Sequence, residues 1–300
     1  MTSPTWTAKL LLFGEHAVVH GSRGLAMPWA GRFMRWMPAD GDERAGYSIG
    51  LLTEFIGQLR EIGFEHLDLD AAQAALDSGE WLDTDIPVGY GLGSSGAACA
   101  ALAHRFAKPG AFDSDNLEQL QQRFGEMESP FHGRSSGIDP TVIYLNRALL
   151  FGGGEKPSPV DLPAPGGSIS LYLIDTGIAR RTGPLVEMFG QRMESDDIFT
   201  RAILAELVPA NEAAIEAFLN ADASSLTKAM RVLSRIQLEA MADWTPEAFH
   251  EGWKKGLDSG DFQCKICGAG GGGFIMAWTS RPESLAETFS GRRIELVYRL

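Results

Sequence analysis

Pro87-Val-Gly-Tyr-Gly-Leu-Gly-Ser-Ser-Gly-Ala-Ala-Cys-Ala-Ala-Leu102 is a glycine-rich turn that runs straight into an alanine-rich helix. Gly89, Gly91 and Gly93 leave out the side chains that would keep a bulky anion off the backbone. The helix that follows brings free N–H groups and a partial positive charge to the same loop. Ser94 and Ser95 add hydroxyls at the helix start, placed to cap it or to reach a metal bound to phosphate. The pattern suits phosphate. It is not a Walker loop, since no Gly-Lys-Ser/Thr closes it, and it lacks the G-x-G-x-x-G spacing of a dinucleotide turn. Taken alone, it reads equally well as a tight turn before an ordinary helix.

Two other stretches bear on that choice. Near the C-terminus, Lys265-Ile-Cys-Gly-Ala-Gly-Gly-Gly-Gly273 leads into the apolar Phe274-Ile-Met-Ala-Trp278, which reads as strand, flexible loop and strand. Its glycines are explained either by close approach to a ligand or by a hairpin connection. Near the N-terminus, the strand-like Lys9-Leu-Leu-Leu-Phe13 opens into Gly14-Glu-His-Ala-Val-Val-His-Gly21. That strand begins on a cation and ends on a carboxylate and an imidazole.

Together these segments resemble the GHMP kinase superfamily, and within it the mevalonate kinases of a bacterial branch. Lys9–Gly21 looks like the family's first motif, Pro87–Ala97 like its second and Lys265–Gly273 like its third. Glu128-Ser-Pro-Phe-His-Gly-Arg-Ser-Ser-Gly-Ile-Asp139 and Asp175-Thr-Gly-Ile-Ala-Arg-Arg-Thr182 also fit, so five ordered matches cover most of the chain. The resemblance implies the two-domain GHMP kinase fold with the active site in the interdomain cleft. The implied activity is transfer of phosphoryl from ATP to the 5-hydroxyl of mevalonate.

Composition is in keeping with this. Three hundred residues suit one or two domains with a sizeable core. The net charge of −13 argues against nucleic acid or an anionic membrane as partner. An anionic substrate must then be drawn in locally, by a few cations and helix ends. Without a long apolar run or a signal-type N-terminus, the sequence reads as a soluble cytoplasmic protein. Oligomeric state is not encoded in any visible motif, and a homodimer is among the states allowed. The three cysteines are Cys99, Cys264 and Cys267; with no second ligand pair, Cys264-Lys-Ile-Cys267 reads as two reduced cysteines in a strand.

Apolar spacing predicts a helix over 48–62, on Leu52, Phe55, Ile56, Leu59 and Ile62. A second carries Leu117, Leu120, Phe124 and Met127 after an Asp113-Ser114 start signal and delivers Glu128 at its end. Four prolines and two glycines within 155–167 mark a domain boundary, giving an N-terminal domain over 1–165 and a C-terminal domain over 166–300. Beyond it the sequence predicts the strand Ile169–Ile174 and helices over 184–194, 197–219 and 223–242. A further helix is predicted to start at Thr245-Pro246. The third-motif hairpin, a helix over 282–290 and a last strand complete an α+β protein.

The resemblance also assigns roles. ATP phosphates would lie along Gly89, Tyr90, Gly91, Leu92, Gly93, Ser94 and Ser95. Mg2+ would take the Ser95 hydroxyl and the Glu128 carboxylate, hard oxygens of the kind it prefers. Asp139 would be the general base for the acceptor hydroxyl, and Lys9 would stabilise the charge that develops. Glu15, His16, Arg180 and Thr182 would hold mevalonate, Arg180 offering a planar fork to its carboxylate. Ala179 stands where animal members carry proline, and His20 reads as structural support. Another small-molecule kinase of the superfamily, for phosphomevalonate or a sugar, is the alternative. Ala17-Val18-Val19 after Glu15-His16 disfavours sugars. A non-catalytic metabolite-binding relative would not need Lys9, Glu128 and Asp139 together.

Overall fold

The structure is a computed structural model that describes residues 4–179 and 182–300, without the side chains of His132 and Thr182. The chain is α+β, and it divides into two compact units. Residues 4–10, 26–87 and 92–149 form the first; residues 11–25, 88–91 and 150–300 form the second. Strands β1 (Thr5–Phe13) and β2 (Arg23–Pro38) contribute to both.

The first unit continues with α1 (Glu43–Glu61), α2 (Leu69–Asp77), β3 (Glu80–Thr84), α3 (Ser94–Phe106), α4 (Leu117–His132) and α5 (Ile138–Leu145). β3 pairs antiparallel with β2, from Met34 opposite Thr84 to Pro38 opposite Glu80. Asp42 caps α1 by accepting from the Arg44 N–H. The helix therefore starts five residues before the predicted 48 and ends at 61. It buries Leu52, Phe55, Ile56 and Leu59, whereas Ile62 is its exposed C-cap. α4 begins after Asn116, whose Oδ1 accepts from the Gln119 N–H; Asp113 instead closes a turn on the Asp115 N–H. Leu120, Phe124 and Met127 form its buried stripe, as their spacing predicts.

α3 is buried on every side from Gly96 to Ala103. Small residues let the α5 backbone approach: a Cβ on Gly96 would lie 2.9 Å from the Pro140 nitrogen. This close packing places the start of α5, and with it Asp139, against α3.

The second unit holds β4 (Leu149–Gly152, from Leu150 on), β5 (Glu155–Pro159), β6 (Ser170–Asp175), α6 (Thr182–Ser195), α7 (Asp197–Ala202), α8 (Val208–Leu219), α9 (Ala223–Glu239), α10 (His250–Ser259), β7 (Phe262–Ile266), β8 (Phe274–Thr279), α11 (Pro282–Thr288) and β9 (Ile294–Arg299). One sheet runs β1-β2-β4-β5, with β3 beside β2; a four-stranded sheet runs β7-β8-β6-β9. In the latter the described pairings are antiparallel, with Asp175 opposite Phe274 and Ile266 opposite Ile275. β7 and β8 are buried at every position, which accounts for the unbroken apolar run Phe274–Trp278 in β8, whereas β7 buries Gln263 and Lys265 as well. Phe13 stacks on Trp278 at 5.9 Å, and Phe218 meets Trp278 edge-on.

Two expectations fail locally. The helix expected over 197–219 is interrupted by a π-helical turn at Ile203–Leu207. Pro209 follows it in the first turn of α8 and has no N–H for the ladder, so the widened turn absorbs the mismatch. No helix starts at Thr245-Pro246: a 3-10 turn occupies Glu247–Phe249 and α10 begins at His250. The buried Thr245 hydroxyl has no partner, so it caps nothing. None of the described helices is long and apolar enough to cross a membrane.

Candidate active site

The first unit gathers the four residues predicted for catalysis and metal binding, Lys9, Ser95, Glu128 and Asp139, from three motifs, together with Leu92, Gly93 and Ser94 of the glycine turn. Lys9, in β1, donates from its backbone N–H to the Leu92 carbonyl at 2.9 Å, so the strand is tied to the glycine turn. Its side chain is 6 % exposed and reaches Asp139, with Nζ 2.6 Å from Oδ2. The stem passes Gly93, where a Cβ would meet Lys9 and Ile143 at 3.4 Å and the backbone is left-handed at φ +75°. Gly93 is also the N-cap of α3, and no side chain caps that helix. Ser94 and Ser95 sit in its first turn instead. The Ser95 hydroxyl donates to Glu128 Oε1 at 2.8 Å.

Glu128 lies one turn before the end of α4 and is almost completely buried. Its other oxygen accepts from Ser135 Oγ at 2.5 Å. Burial first, then the negative charge of Asp139, pushes its carboxyl up to about 7; the two serines and Lys9 oppose that rise. Asp139 stands in the first turn of α5, which follows Gly137 at φ +71°. Gly137 must be glycine, because a Cβ there would lie 2.0 Å from the Gln121 carbonyl oxygen. The 133–137 loop thus folds tightly onto α4, and this close fit brings Ser135 to Glu128. Ser135 is a polar partner that sequence reasoning missed, although it lies in the quoted segment seven residues after Glu128.

The raised carboxyl of Glu128 has a measurable consequence in metal-free buffer. Glu128 keeps its proton in the folded state between about pH 4.5 and 7, where the unfolded chain has already released it. Its contribution to stability is therefore full below about 4.5 and lost as pH rises to about 7. A shift of that size corresponds to roughly 3–3.5 kcal/mol. Denaturation of wild type and Glu128→Gln across this range is expected to show glutamine gaining by that amount toward pH 7. A pH-independent difference would contradict the burial argument.

The second unit holds the predicted Gly89, Tyr90, Gly91, Glu15, His16 and Thr182. Gly89 and Gly91 adopt φ +79° and +77° on either side of Tyr90, whose ring meets Phe274 edge-on at 5.3 Å. Glu15 and His16 form the turn after β1. Glu15 is buried and ion-paired to Lys265 at 2.5 Å. His16 is left-handed at φ 59°, stacks on Phe189 at 4.4 Å, and places Nε2 3.3 Å from the Ala269 carbonyl oxygen. His20 leans on the same Phe189, and burial lowers its pKa. Thr182 opens α6, while Arg180 lies outside the described residues.

The third glycine loop joins β7 to β8 as a hairpin, and Gly270–Gly273 in it are explained by the protein itself. A Cβ on Gly270, Gly272 or Gly273 would strike the backbone of Trp244, Ile178 or Tyr90, at 2.5–2.7 Å, and one on Gly271 would strike Leu185. Gly273 N–H donates to Ile178 O, and its carbonyl accepts from Thr176 N–H and Oγ1. The cysteines nearby, Cys264 and Cys267, are buried, and burial pushes the Cys264 thiol up.

Comparison with known proteins agrees with this geometry. The profile of the GHMP kinases N terminal domain matches residues 55–147. The mevalonate kinase of Archaeoglobus fulgidus is 28 % identical over 291 residues, covering 89 % of each chain. The crystal structure of L. major mevalonate kinase with R-mevalonate superposes with a TM-score of 0.67 at 17 % identity, over 100 % of this chain and 96 % of that one. Lactococcus lactis galactokinase superposes about as well, at a TM-score of 0.66 and 14 % identity, over 98 % of this chain and 92 % of that one, so the shared fold leaves the acceptor open. Residues 55–147 thus match the N-terminal domain of the GHMP kinases, and the curated relatives mark the chain as a kinase, a phosphotransferase. Those curated relatives are mevalonate kinases, from archaea and from Bos taurus.

Proposed function

We propose that this chain is a mevalonate kinase, transferring the γ-phosphoryl group of ATP to the 5-hydroxyl of mevalonate. The observation that carries the reading is the gathering, within one unit, of the Lys9–Asp139 ion pair and the Ser95–Glu128 hydrogen bond. Phosphoryl transfer asks for positioning and charge neutralisation rather than covalent help. Asp139 accepts the proton of the acceptor hydroxyl as its oxygen attacks phosphorus, and ADP leaves. Lys9 holds Asp139 in place and offsets the charge on the transferring group. Gly89–Ser95 and the N-terminus of α3 receive the phosphates of ATP, with Gly89, Gly91 and Gly93 in left-handed backbone. His16, Arg180 and Thr182 hold the acceptor, Arg180 through its carboxylate.

The donor set around Glu128 fits a hard divalent cation. One buried carboxylate and one hydroxyl leave the other positions to phosphate oxygens and water, the usual mode for Mg2+. Among the described residues no cluster of three or more His, Cys, Asp or Glu offers a protein-only cage. Held by Ser95 and Glu128, the metal would neutralise phosphate charge. Ser95→Ala and Glu128→Gln are each expected to raise the magnesium concentration for half-maximal rate at saturating ATP. An unchanged half-point in both variants would refute the assignment.

ADP release measured with mevalonate, phosphomevalonate, galactose and homoserine tests the function as a whole. Mevalonate is expected to give by far the highest kcat/KM. A higher value with another acceptor would move the chain to a different branch of the superfamily.

A further inference from the structure

The Glu15–Lys265 pair is the most deeply buried ion pair among the described residues, with side chains 1 % and 2 % exposed. A pair so far from water is weak evidence for stability, because desolvation offsets its attraction; its best-attested use is to fix one geometry over others. Lys265 has nothing left to offer a ligand. Its Nζ is 2.5 Å from Glu15 Oε1, 3.0 Å from Ile266 O and 3.6 Å from Met276 Sδ, which occupies all three donors.

The two residues join segments 250 positions apart in the chain: the turn after β1 and the strand that opens the third glycine loop. The same two segments meet again one residue on, where His16 Nε2 faces the Ala269 carbonyl. His16 is held there in left-handed backbone, which a non-glycine residue keeps only where its surroundings over-determine it. Gly14 precedes it at φ +116°, where a Cβ would lie 2.7 Å from both Gly24 Cα and a Val18 methyl, so the turn has no other route.

We propose that Lys265 is a positioning residue for the acceptor: its buried ion pair with Glu15 clamps the Gly14–His16 turn to the third glycine loop and thereby aims the His16 imidazole. The inference rests on the proposed role of His16 at the acceptor. It gives Glu15 an indirect part, acting through His16 instead of touching mevalonate.

Steady-state kinetics with each substrate varied in turn test this on Lys265→Met, Glu15→Gln, the double variant Glu15→Gln/Lys265→Met and His16→Ala. Lys265→Met is expected to raise the KM for mevalonate about tenfold or more, with the KM for ATP within about twofold. The double variant leaves no buried charge unpaired, so its melting temperature is expected to return toward wild type while its mevalonate KM stays high. It also carries the test if Lys265→Met does not fold. Recovery of KM together with melting temperature would overturn the proposal, because the pair would then matter only as balanced charge. Equal movement of both KM values would overturn it too. His16→Ala separates the two layers: an unchanged mevalonate KM there refutes the acceptor role of His16 itself. A raised KM in His16→Ala beside normal values in the Lys265 and double variants refutes only the positioning.

Discussion

Asp139→Asn is expected to lower kcat by about 10²–10⁴-fold, the usual range for loss of a general base. Asparagine keeps the size of the side chain and an oxygen that can accept from Lys9 Nζ, now 2.6 Å from the carboxylate. It cannot take up the hydroxyl proton at neutral pH. The substitution therefore separates chemistry from architecture. The variant should fold, bind ATP with an affinity near wild type and turn over very slowly. Nucleotide binding by titration, beside kcat at saturating substrates, decides the matter. A folded variant keeping more than half the wild-type kcat would remove Asp139 from its role.

Gly96→Ala is expected to act on the same carboxylate from behind. The added methyl would lie 2.9 Å from the Pro140 nitrogen and 3.1 Å from the Asp139 carbonyl carbon. Both are backbone atoms, so no rotamer change relieves the clash and the start of α5 must move. Alanine in a helix interior gains about 1 kcal/mol over glycine, whereas overpacking costs typically 1–3 kcal/mol. The clash wins, and a net loss of up to about 2 kcal/mol is expected in denaturant melts. The larger effect should be on rate, since displacement of a reacting group by about 1 Å can cost on the order of 100-fold. A kcat at least tenfold below wild type is the expected result. A value within twofold would mean that α3 does not set the position of Asp139.

These two substitutions mark what was legible and what was not. The glycine turn and its helix were readable because their signals are local: glycines at left-handed positions, then a run of small residues over Ser94–Ala101 that opens a helix reaching Phe106. The stripes of α1 and α4 were readable for the same reason. Ends were harder. Asp42 captures the start of α1 ahead of the apolar stripe, and the exposed Ile62 continues a periodicity that the helix itself does not. Ser94 and Ser95 read equally as caps or as hydroxyls for a phosphate-bound metal; the cap position falls on Gly93 and the Ser95 hydroxyl turns to Glu128. The choice between cap and ligand depends on what stands opposite, which a one-dimensional pattern does not carry. Thr245-Pro246 has the composition of a helix start, but the backbone turns there into 3-10 geometry before α10.

The sequence alone determined the α+β class and the order of the five motifs, because each is set by local spacing, and the resemblance those motifs carry supplied the residues proposed for phosphoryl chemistry. Tertiary structure alone decided which of those residues share a partner. Lys9 and Asp139 are joined by the packing of α5 on α3, and Ser135 reaches Glu128 because Gly137 lets its loop close on α4. Glu15 reads as a ligand by its motif, and only burial beside Lys265, 250 residues away, shows it engaged within the protein. The glycines at 270–273 meet the same fate: their need arises from the backbones and side chain pressed against them. Burial likewise sets the charge of Glu128, since desolvation and the neighbouring Asp139 together outweigh two hydroxyl donors and a lysine. Such effects depend on distances through space between chain segments that no local pattern relates.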